Sequence, residues 1–451
     1  MTTADPAPRD PEARRGESLL PGDLPPEDLP AGELLPEDLL PEHLLAAFRE
    51  RAAVHDRENT FPEADLAALR ERGYLRLLVP VELGGLGASL LEAGRIQRRL
   101  AQAAPATALS MNMHLVVTGA ALHALRVGAP GAERAGAERL LSSAARGELL
   151  AFGISEPGNE AMLFDSATSA VADADGGYSL SGTKIFTSLA PVWDRLVVHA
   201  RVGDAAGASD LSDLSERSEF SESLEPELVF GTIVRTDRVE TLSDWDTHGM
   251  RATQSRTTRL HGARLEPADV ITRTSVGPNT DPFVMGVFGA FELLLASVYT
   301  GVAERALELG QQTALHRRSV TRGIVHADDP DIRWRLADAA IGLDGSVLQI
   351  EKLLADLDAL GTGARGPGVR DHGPRWFLQL SGVKSRTTET AIRTVDQVLR
   401  ASGGAHFSRS SELERLSRDV RAGLYHPSDE ESVHSSYAKA LLGEIGAPRE
   451  E

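Results

Sequence analysis

Glu292 is the only acid in a long apolar run, "FVMGVFGAFELLLASVYTGVA" at 283–303. A carboxylate so placed is either a buried functional group or one arm of a structural pair. A second set of chemistry-bearing residues lies in "HPSDEESVH" at 426–434. His426 and His434 carry imidazoles that exchange protons near neutral pH; each also fits a lone surface histidine at a helix start. Between them Asp429, Glu430 and Glu431 suit the first turn of a helix, where acids are favoured. The Gly403–Gly404 pair either lets backbone approach a ligand closely or closes a helix C-terminus. The chain has no cysteine. Disulfides, thiolate nucleophiles and cysteine-held metal centres are thereby excluded, and no metal site is expected. "LVPVELGGLGAS" at 78–89 is glycine-rich, but it lacks GxGxxG spacing and no βαβ unit follows, so it is not a dinucleotide loop.

The elements that must position these residues fall into three textures. From Leu44 to about Gly147, "HLLAAFRERAAVHDRE", "EADLAALRERG" and "LLEAGRIQRRLAQA" repeat apolar residues at helical spacing. From about Leu149 to Ile271 the segments are short and alternating, with Gly and Asp turns, as in a compact antiparallel β domain. From Pro282 to Gly443 long helical patterns return, over 283–317, 329–360, 374–402 and 429–442. The expectation is an α+β, mostly α, chain: a disordered tail at 1–43, a helical domain at 44–148, a β-barrel domain at 149–271, and a four-helix bundle at 282–445. The pentapeptide repeat at 21–45, with proline every few residues, is expected to forbid a regular helix.

The net charge of −19 is concentrated. Residues 1–45 hold eleven acids against Arg9, Arg14 and Arg15, and an insertion at 203–228 holds eight acids against Arg217. The rest of the chain is nearly balanced. Nucleic acids and anionic membranes need clustered Lys and Arg, so neither is an expected partner. The 283–303 run is long enough to span a bilayer, but the central Glu292 and the charged continuation favour a helix buried in a bundle, with no membrane span. No basic region followed by an apolar core opens the chain, which points to the cytoplasm.

Four segments, in order, resemble signatures of the acyl-CoA dehydrogenase family: "FGISEPGNEA" (152–161), "GTKIFTSLAPVWD" (182–194), "DTHGMRAT" (246–253) and "SGGAHFSRSSELERLSRDVRA" (402–422). The resemblance covers about 45–443. It implies an N-terminal helical domain, a middle β-barrel and a C-terminal four-helix bundle. It also implies FAD bound between barrel and bundle, in a homotetramer or homodimer. A flavin ring needs donors along its polar edge and an apolar or aromatic wall on one face. By the resemblance Ser155 stands for the flavin-contacting Thr, with Phe152 and Ile154 in the same segment. Phe186 stands for the Trp packed on the ring, and Ser188 for a second hydroxyl. Gly403 and Gly404 stand for glycines beside the FAD diphosphate or adenosine, often from a neighbouring subunit. Arg317 stands for a diphosphate-binding Arg, although the usual Arg-x-x-Phe-Gly reads "RRSVT" here. Arg418 and Asp419 stand for a structural pair, expected as a salt bridge within the bundle.

The implied activity is α,β-dehydrogenation of an acyl thioester on CoA or a carrier protein, with electrons passed to an electron-transfer flavoprotein. That reaction needs a carboxylate within reach of the Cα proton. Aligning Arg418–Asp419 with the family's Arg-Asp puts the common catalytic Glu at Pro427, which cannot accept a proton. Some members carry the base on the first bundle helix, here Phe291, one helical step (about 100°) from Glu292. Glu292 is therefore the candidate base. The alternative is a flavin monooxygenase on the same fold, using O2 and a flavin reductase to hydroxylate sulfur, nitrogen or aromatic carbon, with His426 and His434 as candidate hydrogen-bond partners of a flavin hydroperoxide or proton donors. A scaffold without turnover is a third reading, and it predicts poor flavin retention.

Overall fold

The computed structural model describes residues 34–203, 226–363, 368–443 and 445. Most of the acidic tail and of the acidic insertion lies outside the described residues. The repeat's last part differs from expectation. Pro36–Leu39 form one helical turn (α1), and Glu42–Glu58 form α2 directly after Pro41. Proline at a first helical position costs nothing, because the missing N–H has no intrahelical partner there. Leu39 and Leu40 are buried, so the repeat's leucines anchor the turn.

Helices α3 (Glu63–Glu71), α4 (Leu90–Ala103), α5 (Pro105–Arg126) and α6 (Gly131–Ala145) complete the N-terminal part. Helix α4 starts on a capping box: Ser89 Oγ accepts from Glu92 N–H, and Glu92 Oε2 accepts from Ser89 N–H. The glycines before it make a tight turn. A Cβ on Gly85 would lie 1.9 Å from the Val79 carbonyl oxygen, so only glycine fits.

The middle part is one eight-stranded sheet: β1 (Leu150–Gly153), β2 (Ser169–Ala172), β3 (Tyr178–Thr187), β4 (Arg195–Val202), β5 (Glu227–Val234), β6 (Val239–Thr241), β7 (Arg256–Leu265) and β8 (Val270–Ser275). The path runs β6-β7-β3-β2-β4-β5-β8, with β1 beside β4. Most pairings are antiparallel, but β4 runs parallel to both β1 and β2. The sheet curls so that β5 meets the end of β7, where a Cβ on Gly231 would lie 2.4 Å from Leu265.

The C-terminal part holds α7 (Pro282–His316), α8 (Pro330–Thr362), α9 (Trp376–Ser402), α10 (Glu412–Asp419) and α11 (Glu430–Leu442). Both α5 and α7 are long and apolar enough to cross a membrane, yet both are buried inside the protein. Between 283 and 303, Met285, Phe288 and Phe291 are part-exposed and the other residues are buried. Small residues let neighbours close on α7: Gly301 meets the Arg98 carbonyl of α4, and Gly286 meets Ala120 of α5. Helix α11 is peripheral, with Val433 its one buried residue.

Arg418 and Asp419 do not pair with each other inside the bundle. Arg418 makes a bidentate bond to Asp56 of α2 at 2.8 and 2.6 Å, and also binds Glu414 and the His248 carbonyl. Asp419 accepts the Met250 N–H at 2.6 Å. Adjacent on a helix, the two side chains diverge by about 100°, so Arg418 reaches the N-terminal helices and the His248 carbonyl while Asp419 turns to the Met250 N–H.

Candidate functional site

After α10 a 3-10 segment, Val420–Tyr425, leads into His426, Pro427, Ser428 and the N-cap Asp429. This strap crosses the middle of α7 and α9. Lys384 of α9 holds it by donating to the carbonyls of Gly423, His426 and Ser428 at 2.9, 3.1 and 3.2 Å. Ser428 takes a left-handed conformation, φ 59°, uncommon for serine, and its hydroxyl donates to Glu292 Oε1. Glu292 is fully buried, and its Oε2 has no hydrogen-bond partner among the described residues. Burial pushes the Glu292 carboxyl up from the ordinary range, partly opposed by the Ser428 hydroxyl and by Lys384. Burial likewise pushes the Lys384 ammonium down, with Glu292 opposing.

His426 therefore stands beside Glu292 through Ser428 and Lys384. Its Nδ1 lies 3.1 Å from the hydroxyl of buried Tyr299. Burial raises the Tyr299 phenol well above its usual value, so it keeps its proton. Where the Tyr299 hydroxyl donates to Nδ1, the neutral His426 ring carries its proton on Nε2. Dense packing first, and Lys384 second, hold the imidazole far below its ordinary value, although part of its surface reaches solvent. Phe291 meets it edge-on, with ring centroids 6.5 Å apart. His434 lies elsewhere: it is exposed and bonds the Glu430 carbonyl of its own helix. Asp429 caps α11 by accepting the Ser432 N–H.

On the β domain, Ser188, Ser255 and Thr253 form a hydroxyl chain with 2.7 Å links, ending on the Met250 carbonyl. The Met250 N–H is the group bound by Asp419, so this chain sits where the β domain joins the strap. Phe186 is 55 % exposed, has φ 55°, and packs edge-on to Trp245. Between Phe186 and Ser188, Thr187 Oγ1 is buried without a partner among the described residues. Phe152 and Ile154 are buried in the core, so what they offer a ligand is main chain. Ser155 accepts the Ile185 N–H with its carbonyl and is half-buried.

Sequence reasoning missed the centre behind this face. Glu156 accepts from Lys184 Nζ (2.6 Å), Ser166, Thr168, Asn159 and the Ala167 N–H. Lys184 also donates to His199 Nδ1 at 3.1 Å. Burial alone would raise Glu156; Lys184 and the other donors hold it down to about 2. Burial and the neighbouring Lys184 ammonium lower His199 to about 3. The acid inside "SEPG" was visible, but partners on other strands carry no local signal.

Arg317 and Gly403 come together: Arg317 donates to the Ser402 carbonyl at 2.5 Å, and a Cβ on Gly403 would crowd its guanidinium. Gly404 is exposed, and a Cβ there would meet nothing within 4 Å. This locus lies at the far ends of α7 and α9. Arg317 follows Glu292 by 25 residues of nearly continuous helix, roughly 37 Å at the α-helical rise. Arg317 and Gly403 therefore stand apart from the Glu292–His426 cluster on the same chain, and the set expected from the sequence divides into two loci.

The fold, the hydroxyl chain and the strap define a class of protein, and comparison with known families gives the same class. Residues 42–130 match the family model "Acyl-CoA dehydrogenase, N-terminal domain", and residues 293–429 match "Acyl-CoA dehydrogenase, C-terminal domain". The chain belongs to the acyl-CoA dehydrogenase superfamily and is a flavoenzyme of that fold. Among its relatives, the amino sugar nitrososynthase RubN8 of Streptomyces rubradiris is 28% identical over 391 residues, covering 84% of this chain and 83% of that protein. A dibenzothiophene monooxygenase of Rhodococcus qingshengii is also 28% identical, covering 84% and 87%. The structure of KijD3 in complex with FMN and dTDP-3-amino-2,3,6-trideoxy-4-keto-3-methyl-D-glucose superposes with a TM-score of 0.73 and 26% identity, covering 91% of this chain and 94% of that one. These relatives favour oxygenation over the dehydrogenation that the motifs alone suggested.

The residues present fit a flavin. Phe186 offers an aromatic wall, while the hydroxyl chain and the orphaned Thr187 Oγ1 offer a polar edge.

Proposed function

We propose that this chain is a flavin-dependent monooxygenase that places one oxygen atom of O2 on a heteroatom, nitrogen first, of a small molecule. The carrying observation is the strap: where a dehydrogenase needs an accessible carboxylate, Pro427 is flanked by a neutral His426 bonded to Tyr299. Glu292 is a poor substitute base. One oxygen is held by Ser428 and the other is enclosed by protein, so a substrate Cα proton does not reach it. This replaces the expectation that Glu292 abstracts a proton from an acyl thioester.

Ser188, Ser255, Thr253 and Phe186 would hold the ring, and Ser155 the same edge. A bound reduced flavin supplies the two electrons that, with O2 and an amine, give a hydroxylamine, water and oxidised flavin. The protein's part is to orient the substrate and handle protons. Tyr299, donating to Nδ1, would set the His426 tautomer with its proton on Nε2, from which the neutral ring donates a hydrogen bond to the oxygen that leaves as water, while the hydrogens of that water come from the reduced flavin. Lys384 and Glu292 act on the strap, not on substrate. FMN is the proposed cofactor, because a relative of known structure, KijD3, binds FMN. A separate flavin reductase is the proposed electron source.

Photoreduced holoprotein mixed with O2 and an amine should consume O2 and form hydroxylamine. His426→Ala should divert most turnover to hydrogen peroxide release, lowering product formation about 100-fold. Anaerobic bleaching of oxidised flavin by butyryl-CoA, lost in Glu292→Gln, would restore the dehydrogenase.

A further inference from the structure

Met285, Phe288 and Phe291 stand at three-residue spacing on α7, so they share one side of the helix. They are also the residues of the 283–303 run that reach the surface. Phe288 is stacked on Phe377 of α9, with centroids 4.5 Å apart and planes 10° apart. Phe377 remains 38 % exposed. Phe291 then meets His426 edge-on. Two ring pairs, Phe288–Phe377 and Phe291–His426, thus lie on one side of α7 between the surface of the α7–α9 pair and the imidazole. On the strap next to His426, Leu424 and Tyr425 are exposed as well, at 39 % and 81 %.

The cation within this cluster is committed. Lys384 gives its three N–H groups to three carbonyls, so it has none left for a phosphate.

We propose that the substrate's non-reacting part is a planar aromatic group lying on the Phe288–Phe291–Phe377 face, with the heteroatom to be oxygenated presented to His426. The proposal rests on the monooxygenase reading and specifies its substrate class: an aromatic amine, as distinct from the sugar nucleotide bound by KijD3. Rings favour offset stacking or edge contact with other rings, and both geometries are already present along the face.

Binding separates this proposal from the reaction itself. Oxidised holoprotein is titrated with aniline, indole and dTDP, following flavin fluorescence and calorimetry; no turnover is needed. The expected result is binding of aniline and indole, weakened tenfold or more in Phe291→Ala and severalfold in Phe377→Leu, with no binding of dTDP. Phe377 is partly exposed, so its leucine variant keeps the test usable where Phe291→Ala does not fold. Binding of dTDP with none of aniline or indole would overturn the substrate class, as would aromatic binding unchanged in both variants. Hydroxylamine formation from an amino sugar would then still support the monooxygenase; failure of every amine to give product would sink that reading independently.

Discussion

Glu156 with Lys184 and Glu292 with Lys384 are the same residue types, both buried, each with a neutral histidine nearby, and they are satisfied to opposite degrees. In the β domain Lys184 binds Glu156 directly and every Glu156 oxygen is bonded. In the bundle Lys384 spends its protons on backbone, and Glu292 keeps one oxygen unpartnered. A buried ionic network that is fully bonded fixes structure; a partly bonded one is costly and persists where something else requires it. His199 is locked by Lys184 and two carbonyls, while the His426 ring is part-exposed and bonded to Tyr299 through Nδ1. On the proposed reading, the first system would hold the flavin-edge strand rigid and the second would border the chemistry.

The sharpest break of that comparison is Lys184→Met. It leaves Glu156 charged and unpaired in the sheet core, so urea unfolding should show a loss of about 3–5 kcal/mol; a loss below about 1 kcal/mol would remove the distinction. Acid comes next. His114 joins α5 to β1, with Nε2–H donating to the Leu75 carbonyl and Nδ1 accepting the Leu150 N–H. Burial lowers it from 6.5 to about 4. Its folded value lies below its unfolded one, so its contribution is full above pH 6.5 and is lost as pH falls towards 4. By pH 5 the loss is about 2 kcal/mol, read from the urea midpoint against pH 7.5. An unchanged midpoint means His114 carries no linked proton.

Tyr299→Phe should cost about 1 kcal/mol and release the His426 tautomer, raising hydrogen peroxide release. Coupling equal to wild type would detach Tyr299 from the proton route. The smallest effect is expected for Glu292→Gln. The amide keeps the Ser428 contact and removes a buried charge, so stability should stay within about 0.5 kcal/mol and oxygenation within a few-fold. A large loss of either means Glu292 is more than a support for the strap.

Much of this was legible in the chain. The long C-terminal helices begin and end within two residues of the periodic segments read at 283–317, 329–360, 374–402 and 429–442. Glu292 stood out as a charge in an apolar run, and His426 as the neighbour of an improbable Pro427. What the pattern hides is partnership at a distance. Lys184 meets Glu156 across 28 residues, and Lys384 looks like any lysine on an amphipathic helix. The helical turn at Pro36–Leu39 was hidden for a different reason: proline forbids a helix interior but suits its start. Arg418 and Asp419 were read as one pair because they are adjacent, whereas adjacency on a helix sends them to different partners.

The Asp56–Arg418 bond spans 362 positions, and that separation sets an order in time. During synthesis Asp56 leaves the ribosome long before Arg418 exists, and α4 and α5 emerge well ahead of the α7 they will cover. The N-terminal helices therefore wait with an apolar bed open and an acid unpaired, in the kind of half-built state that aggregates or recruits a chaperone. Only when the last tenth of the chain arrives do helices, sheet and bundle close on one arginine.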